Sequence, residues 1–220
     1  PPMRALLSCA VVGLIVTAGA CAPVATLQSA TFLDVATVKS QASDWRGPRQ
    51  GTTYLQRRYE VQIGLATRPS QAISRLRAHV IRVNWDAESP AVLPIATPSG
   101  ARLLSVNARV IGANGVRSVT TSRKGADANG PVPDPDQALW ALTFPPVPAG
   151  EALEVIADFE LPGTLATDAR WLGAVDGPTG QLLIRYDVPK GAKATMQVRG
   201  ASARPVLTRQ DGKQVFAVFM

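Results

Sequence analysis

The chain has 220 residues, enough for one large domain with a real core, or one domain plus a tail. It carries 23 basic against 16 acidic residues, a formal charge of +7, with one histidine and two cysteines. That inventory excludes the usual histidine and cysteine zinc sets and leaves a histidine-dependent catalyst only His79.

Met3 is the expected start, with Arg4 as a short positive region behind it. An uncharged apolar run covers residues 5–20. Its 16 residues suit the hydrophobic part of an export signal. They fall short of the roughly 20 that a spanning helix needs. Small residues, Thr17-Ala18-Gly19-Ala20, then lead directly into Cys21. Small side chains let an extended backbone enter a peptidase cleft. The arrangement resembles the bacterial lipobox, in which the cysteine takes fatty acyl chains such as palmitate and the bond before it is cut. An ordinary secretory cut near Ala20 or Ala22, or an uncleaved anchor, are the alternatives. With Cys9 removed and Cys21 acylated, no free thiol is left for catalysis. Ala22 follows Cys21, which in lipoproteins implies the outer membrane, facing the periplasm.

The expected division is a signal at 1–20, an acylated cysteine and flexible tether at 21–49, and a β-sandwich domain at 50–220. The tether is rich in Ala, Thr, Ser and Val, with room for one helical turn near residues 32–38. Arg46, Arg49, Arg57 and Arg58 cluster close behind the anchor. They are a candidate membrane-proximal basic patch, each charge worth about 1 kcal/mol near an anionic surface. A solvated strand edge is the plainer reading. An exported chain has no route to nucleic acid, so the positive charge does not imply that partner.

From Tyr54 the dominant period is two. Tyr59, Val61 and Ile63 alternate with Arg58, Glu60 and Gln62. Residues 73–85 form the next expected strand, long enough to hold a bulge where the alternation slips. Residues 103–111 follow, with Leu104, Val106, Ala108 and Val110 on one side. Asn114-Gly115 predicts a type I′ hairpin turn. Residues 122–136 read as a polar loop and 139–144 as a short strand. Pro145 to Gly150 is a rigid turn. Leu153, Val155, Ala157 and Phe159 alternate with Glu154, Ile156, Asp158 and Glu160. Further strands are expected at 181–188, 192–199 and 213–220. Many short strands with Gly/Pro punctuation predict an all-β protein, an antiparallel β-sandwich of immunoglobulin-like or related type.

Three stretches carry a resemblance: LLSVNARVIGANGV at 103–116, FPPVPAGEALEVIADFEL at 144–161 and LLIRYDVPKG at 182–191. Their strand and turn order resembles the bacterial domain of unknown function 3857. That resemblance implies a β-sandwich with no known activity, which usually leads a transglutaminase-like core in exported proteins. Its catalytic residues lie in that core, so none is carried over.

No catalytic constellation emerges. His79 lies within a strand, and no serine stands in a Gly-x-Ser-x-Gly elbow that could use it. Glu154, Asp158 and Glu160 share one strand face, the expected wet side of an amphipathic strand rather than a glycosidase pair. Asp127, Asp134 and Asp136 lack a calcium-loop pattern. Trp140 fits inter-sheet packing, whereas Trp85 and Trp171, near strand ends, are candidate ligand-stacking residues. The sequence therefore reads as a non-catalytic, lipid-anchored envelope module without cofactor or metal, acting on an envelope protein partner. An envelope glycan or small-ligand binding protein is the alternative.

Overall fold

The computed structural model describes residues 10–17, 31–64, 73–86, 89–98, 100–121, 123–126, 137–161, 169–173, 178–189, 193–199, 206–210 and 213–219. The elements, in chain order, begin with β1 (Ala10–Thr17), α1 (Val35–Asp44), β2 (Thr52–Gln62), β3 (Ser74–Asn84) and β4 (Ser89–Pro98). Next come β5 (Arg102–Gly112), β6 (Gly115–Val119), β7 (Arg123–Ala126), β8 (Gln137–Val147) and β9 (Ala152–Leu161). The last are β10 (Ala169–Gly173), β11 (Thr179–Val188), β12 (Lys193–Arg199), β13 (Val206–Gln210) and β14 (Lys213–Phe219).

The protein is an all-β sandwich. One layer is an eight-stranded sheet of order β13-β14-β11-β2-β3-β9-β5-β6. Two three-stranded sheets, β4-β8-β7 and β10-β1-β12, complete the strand set, and β10 lies beside β4. The main core joins the inner face of the large sheet to β4 and β8. It includes Tyr59, Leu76, Val155, Phe159 and Ile184 on one side and Leu93, Ile95, Leu142 and Phe144 on the other. Trp140 packs edge-on against Phe159 at 5.7 Å between ring centroids, as its alternating strand predicts.

Pairing is antiparallel throughout the described ladders except for β11 with β2, which run parallel, so the large sheet is mixed. The predicted hairpin closes Gly112 on Gly115, so its two loop residues are Ala113 and Asn114 rather than Asn114 and Gly115. Gly115 takes φ +111°, a value that glycine tolerates best. The bulge expected in residues 73–85 lies instead in the partner strand, at Leu55. A second bulge at Leu104 turns that side chain outward, away from the row of Ala108 and Val110. Of the expected polar loop, residues 123–126 form β7, while 127–136 lie outside the described residues, Asp127, Asp134 and Asp136 among them.

The segment expected as a tether is in part a packed element. Asp34 caps α1, its Oδ2 accepting from the Ala36 N–H at 3.0 Å and the Thr37 N–H at 3.3 Å. Val35, Val38, Ala42 and Trp45 recur at a helical spacing. They cover an apolar strip on the outer face of the large sheet formed by Leu55, Ile81, Val83, Ile111 and Ala152. Val38 is fully buried there. The large sheet therefore has a core on each face, the second one small.

Candidate functional site

The outer face of the large sheet is where the unusual chemistry lies. At its centre is Glu154, a carboxylate with no solvent exposure. Its Oε1 lies 2.7 Å from His79 Nε2 on β3 and accepts from the Leu33 N–H at 2.8 Å. Its Oε2 accepts from Arg109 Nε on β5 at 2.8 Å. The same guanidinium donates to the Leu33 carbonyl and stands 4.6 Å from the Phe32 ring centroid. Burial alone would push the Glu154 carboxyl up. The hydrogen bonds from His79, Leu33 and Arg109 outweigh it and hold the group below its ordinary range. An ionised carboxylate only accepts, so His79 Nε2 carries the proton of that contact. One acid thus fastens two strands and the main chain leading into α1.

Beyond the edge of α1 the same face is ionic. A row of paired positions crosses the sheet as Arg185, Glu60, Arg77, Asp158 and Ser105. The next runs Asp187, Gln62, Arg75, Glu160 and Arg102. Arg77 grips Asp158 with two bonds, at 2.7 and 3.0 Å. Arg102 reaches Glu160 at 3.0 Å, and Arg185 reaches Asp187 at 2.6 Å. Hydrogen bonds from Arg102 and Arg75 hold the Glu160 carboxyl below its usual range. The three acids of β9 were expected as a wet strand face. Asp158 and Glu160 are half-buried rungs of this lattice, and Glu154 is sealed beneath residues 32–33. The lattice neutralises itself, so it presents no single-sign field to a charged partner.

The predicted basic patch does not form one surface. Arg57 is 1% exposed, and its guanidinium lies 3.4 Å from the Tyr54 ring centroid on the inner side of the sheet. Its neighbour Arg58 points the opposite way, as successive strand residues must, and pairs with Glu60. Arg46 and Arg49 are exposed beside α1, but so are Asp34, Asp44 and Asp86. Trp85 is half-buried: its Nε1 donates to Thr53 Oγ1 at 3.1 Å, and Arg49 stands 5.2 Å from its ring centroid. Trp171 lies in β10, its side chain outside the described residues, and Cys21 is also outside them. Sequence reasoning missed Glu154 and Arg109 as partners, because only the register of β3, β9 and β5 brings them to His79.

A groove of about 850 Å³ runs between α1 and the start of β11. Trp45, Leu55 and Gly180 line it together with the polar Ser40, Gln41 and Gln181 and one charge of each sign, Asp44 and Arg46. A Cβ on Gly180 would stand 2.9 Å from the Leu55 carbonyl oxygen, so this wall requires glycine for close approach. Among the described residues no cluster of His, Cys, Asp and Glu could hold a metal ion, and no helix is long and apolar enough to cross a membrane.

Exposed apolar side chains gather elsewhere. The large ones among the described residues are Val92, Leu104, Val116, Val206 and Leu207, each more than 40% exposed. Val116 is on β6 and Val206 and Leu207 are on β13, the two outermost strands of the large sheet. Leu104 lies on β5 beyond the stretch that β6 pairs, and Val92 lies on β4, an outer strand of its sheet. Among the described residues, all five therefore lie where their strand has a hydrogen-bonded neighbour on one side only, with β10 standing beside β4.

No family model and no curated protein matches the chain. Among solved structures it is similar to a candidate protease from Parabacteroides distasonis, at TM-score 0.42 and 8% identity over 77% of this chain and 35% of that one. It is also similar to an M1 zinc metallopeptidase from Deinococcus radiodurans, at 0.39 and 14% over 77% and 39%. A candidate nutrient-binding protein from Legionella pneumophila gives 0.38 and 9% over 78% and 63%. The chain thus spans between about a third and just under two thirds of these proteins' lengths. Likenesses this slight transfer neither activity nor ligand.

Proposed function

We propose that this chain is a non-catalytic cell-envelope module, anchored by a lipid on Cys21, that acts by protein–protein contact along its open sheet edges. The observation that carries the reading is that, among the described residues, the large exposed apolar side chains lie where their strand has a hydrogen-bonded neighbour on one side only. Such a strand offers main-chain donors and acceptors, and apolar side chains beside them add area to a strand supplied by a partner. The ionic lattice, by contrast, is satisfied within itself. The likeness of residues 103–116, 144–161 and 182–191 to domain of unknown function 3857 points to a transglutaminase-like protein as the partner class.

Export by the residue 5–20 segment has a structural consequence. That segment contains β1, which pairs with both β10 and β12. Cleavage before Cys21 removes the strand between them, which adds further unpaired edges to the mature protein.

The test is recovery of a discrete envelope protein with the tagged chain, followed by the same experiment with Val116→Lys and Leu207→Lys. Loss of that protein with either variant supports contact at the edges. Recovery undiminished by both variants counts against it.

The groove beside α1 favours a second reading, a binding protein for a small neutral ligand such as an envelope glycan. Its hydroxyl and amide groups suit sugar hydroxyls, and Trp45 replaces Trp85 as the indole nearest the ligand. Tryptophan fluorescence that shifts with oligosaccharides in the parent chain, and not in Trp45→Phe, would support it.

A further inference from the structure

We propose that residues 32–45 are a clasp that sets the length of the tether between the membrane anchor and the sandwich. Its effect at the membrane rests on the reading of Cys21 given above. Its opening rests on the geometry of the outer sheet face alone.

The clasp is held by polar contacts at its start and by Leu33, Val35, Val38, Ala42 and Trp45 on the apolar strip. Leu33 gives its N–H to Glu154 and its carbonyl to Arg109, and Phe32 lies against the Arg109 guanidinium. Further along, Val38 is the one residue of α1 that is fully buried. The remainder of the helix is half-buried or exposed. With 10 residues, α1 is shorter than the roughly 12–15 that an isolated helix needs to persist in water. Lifted from the sheet, it loses its helical form and its residues join the tether. Residues 46–51 supply a pivot, with Gly47, Pro48 and a left-handed Gly51 at φ +62°.

Opening strands no buried charge. Glu154 meets the clasp through the Leu33 N–H, and its side-chain partners His79 and Arg109 stay on the sheet. His79 and Arg77 are on β3, Arg109 is on β5, and Arg58, across from His79 on β2, stays with Glu60. Once the cover leaves, water reaches the Glu154 carboxylate where the Leu33 N–H had been. Asp34 takes no part in this contact, because its carboxylate caps α1.

The two states differ in reach. With the clasp closed, the chain from Cys21 to Phe32 spans at most about 40 Å. With it open, the chain from Cys21 to Thr52 spans at most about 110 Å. The clasp thus gives one anchored domain a short and a long range over the membrane.

Hydrogen exchange on the full chain tests the clasp, using Glu154→Gln and Arg109→Gln. Leu33→Pro, which removes the N–H donor and the Leu33 side chain from the strip but leaves Glu154 and Arg109 in place, serves where Glu154→Gln does not fold. A hydrogen bond to a charged group is worth enough that α1 amides should exchange about ten- to a hundredfold faster in these variants. The amides of Leu76, Val80 and Val155 should follow only the loss of global stability that urea unfolding reads, and α1 should exchange ahead of them. Exchange of α1 in step with those sheet amides, in the parent and in every variant, would overturn the clasp. For the reach, Ser118→Cys carries a dye on β6, and energy transfer to a dye in the vesicle bilayer is measured. Lower transfer in the variants supports the longer tether, and unchanged transfer with an open α1 overturns it. If Cys21→Ser leaves the chain on the vesicles, the anchor reading fails and the reach with it, while exchange still decides the clasp.

Discussion

His79 on β3 and Glu154 on β9 meet at 2.7 Å beneath the main chain of Leu33, three places that lie far apart in sequence. The single histidine is thereby committed to a structural acid, its Nε2 proton held by a carboxylate that Arg109 and Leu33 also share. The contact fixes the orientation of the ring against β9.

Removing that acid should be costly, since it leaves Arg109 and the Leu33 N–H without their shared acceptor. Glu154→Ala is expected to lose about 3–5 kcal/mol, the range for breaking a buried charged pair. Asp158→Ala, where water still reaches the pair, should lose less, about 1.5–3 kcal/mol for its bonds to Arg77. Urea unfolding of both variants checks the contrast, and equal losses would contradict it.

The same carboxylate gives the protein an acid limit. Its folded value lies below the ordinary 4.5, so its ionised form favours the folded state. The contribution is fully present above that ordinary value and disappears as pH falls through the lower folded one. Stability measured from pH 7 to pH 3 should therefore fall more steeply in the parent chain than in Glu154→Gln.

Gly150 turns the chain from β8 into β9 at φ +76°, and its N–H donates to the Asn84 carbonyl at 2.7 Å. A Cβ there meets no neighbour, so only the backbone conformation is at stake. Gly150→Ala should cost about 1–2 kcal/mol. Thermal unfolding reads this directly.

The anchor has its own test. Cys21→Ser should abolish labelling by a clickable fatty acid and release the protein from membranes. Membrane association that persists without label would favour an uncleaved segment.

Much of the fold could be read from alternation alone. The strands around Tyr59, Leu76, Val110 and Val155 lie where a period of two places them, and Trp140 is inter-sheet packing as expected. What misled the reading of residues 73–85 was a change of cover. The outer face of β3 runs Arg75, Arg77, His79, Ile81 and Val83, passing from the ionic lattice to the strip under α1. That switch looks like a slipped register when the helix above it is unknown. The bulge lies at Leu55, where a residue apolar on the outer face is needed for the same strip. The helical turn expected near residues 32–38 extends to Asp44 for the same reason: the short helix has meaning only against a strip assembled from four strands. Likewise, Arg57 and Arg58 look like one patch in the sequence, but strand geometry sends them to opposite faces.

The central claim, protein contact along the open edges, is tested most directly by photo-crosslinking in living cells. A photoreactive amino acid replaces Val116, Leu207 or, as a control within the ionic lattice, Arg77. The account predicts a discrete crosslinked envelope protein from an edge position and none from position 77. Crosslinks absent from both edges, or equally strong at position 77, would contradict it.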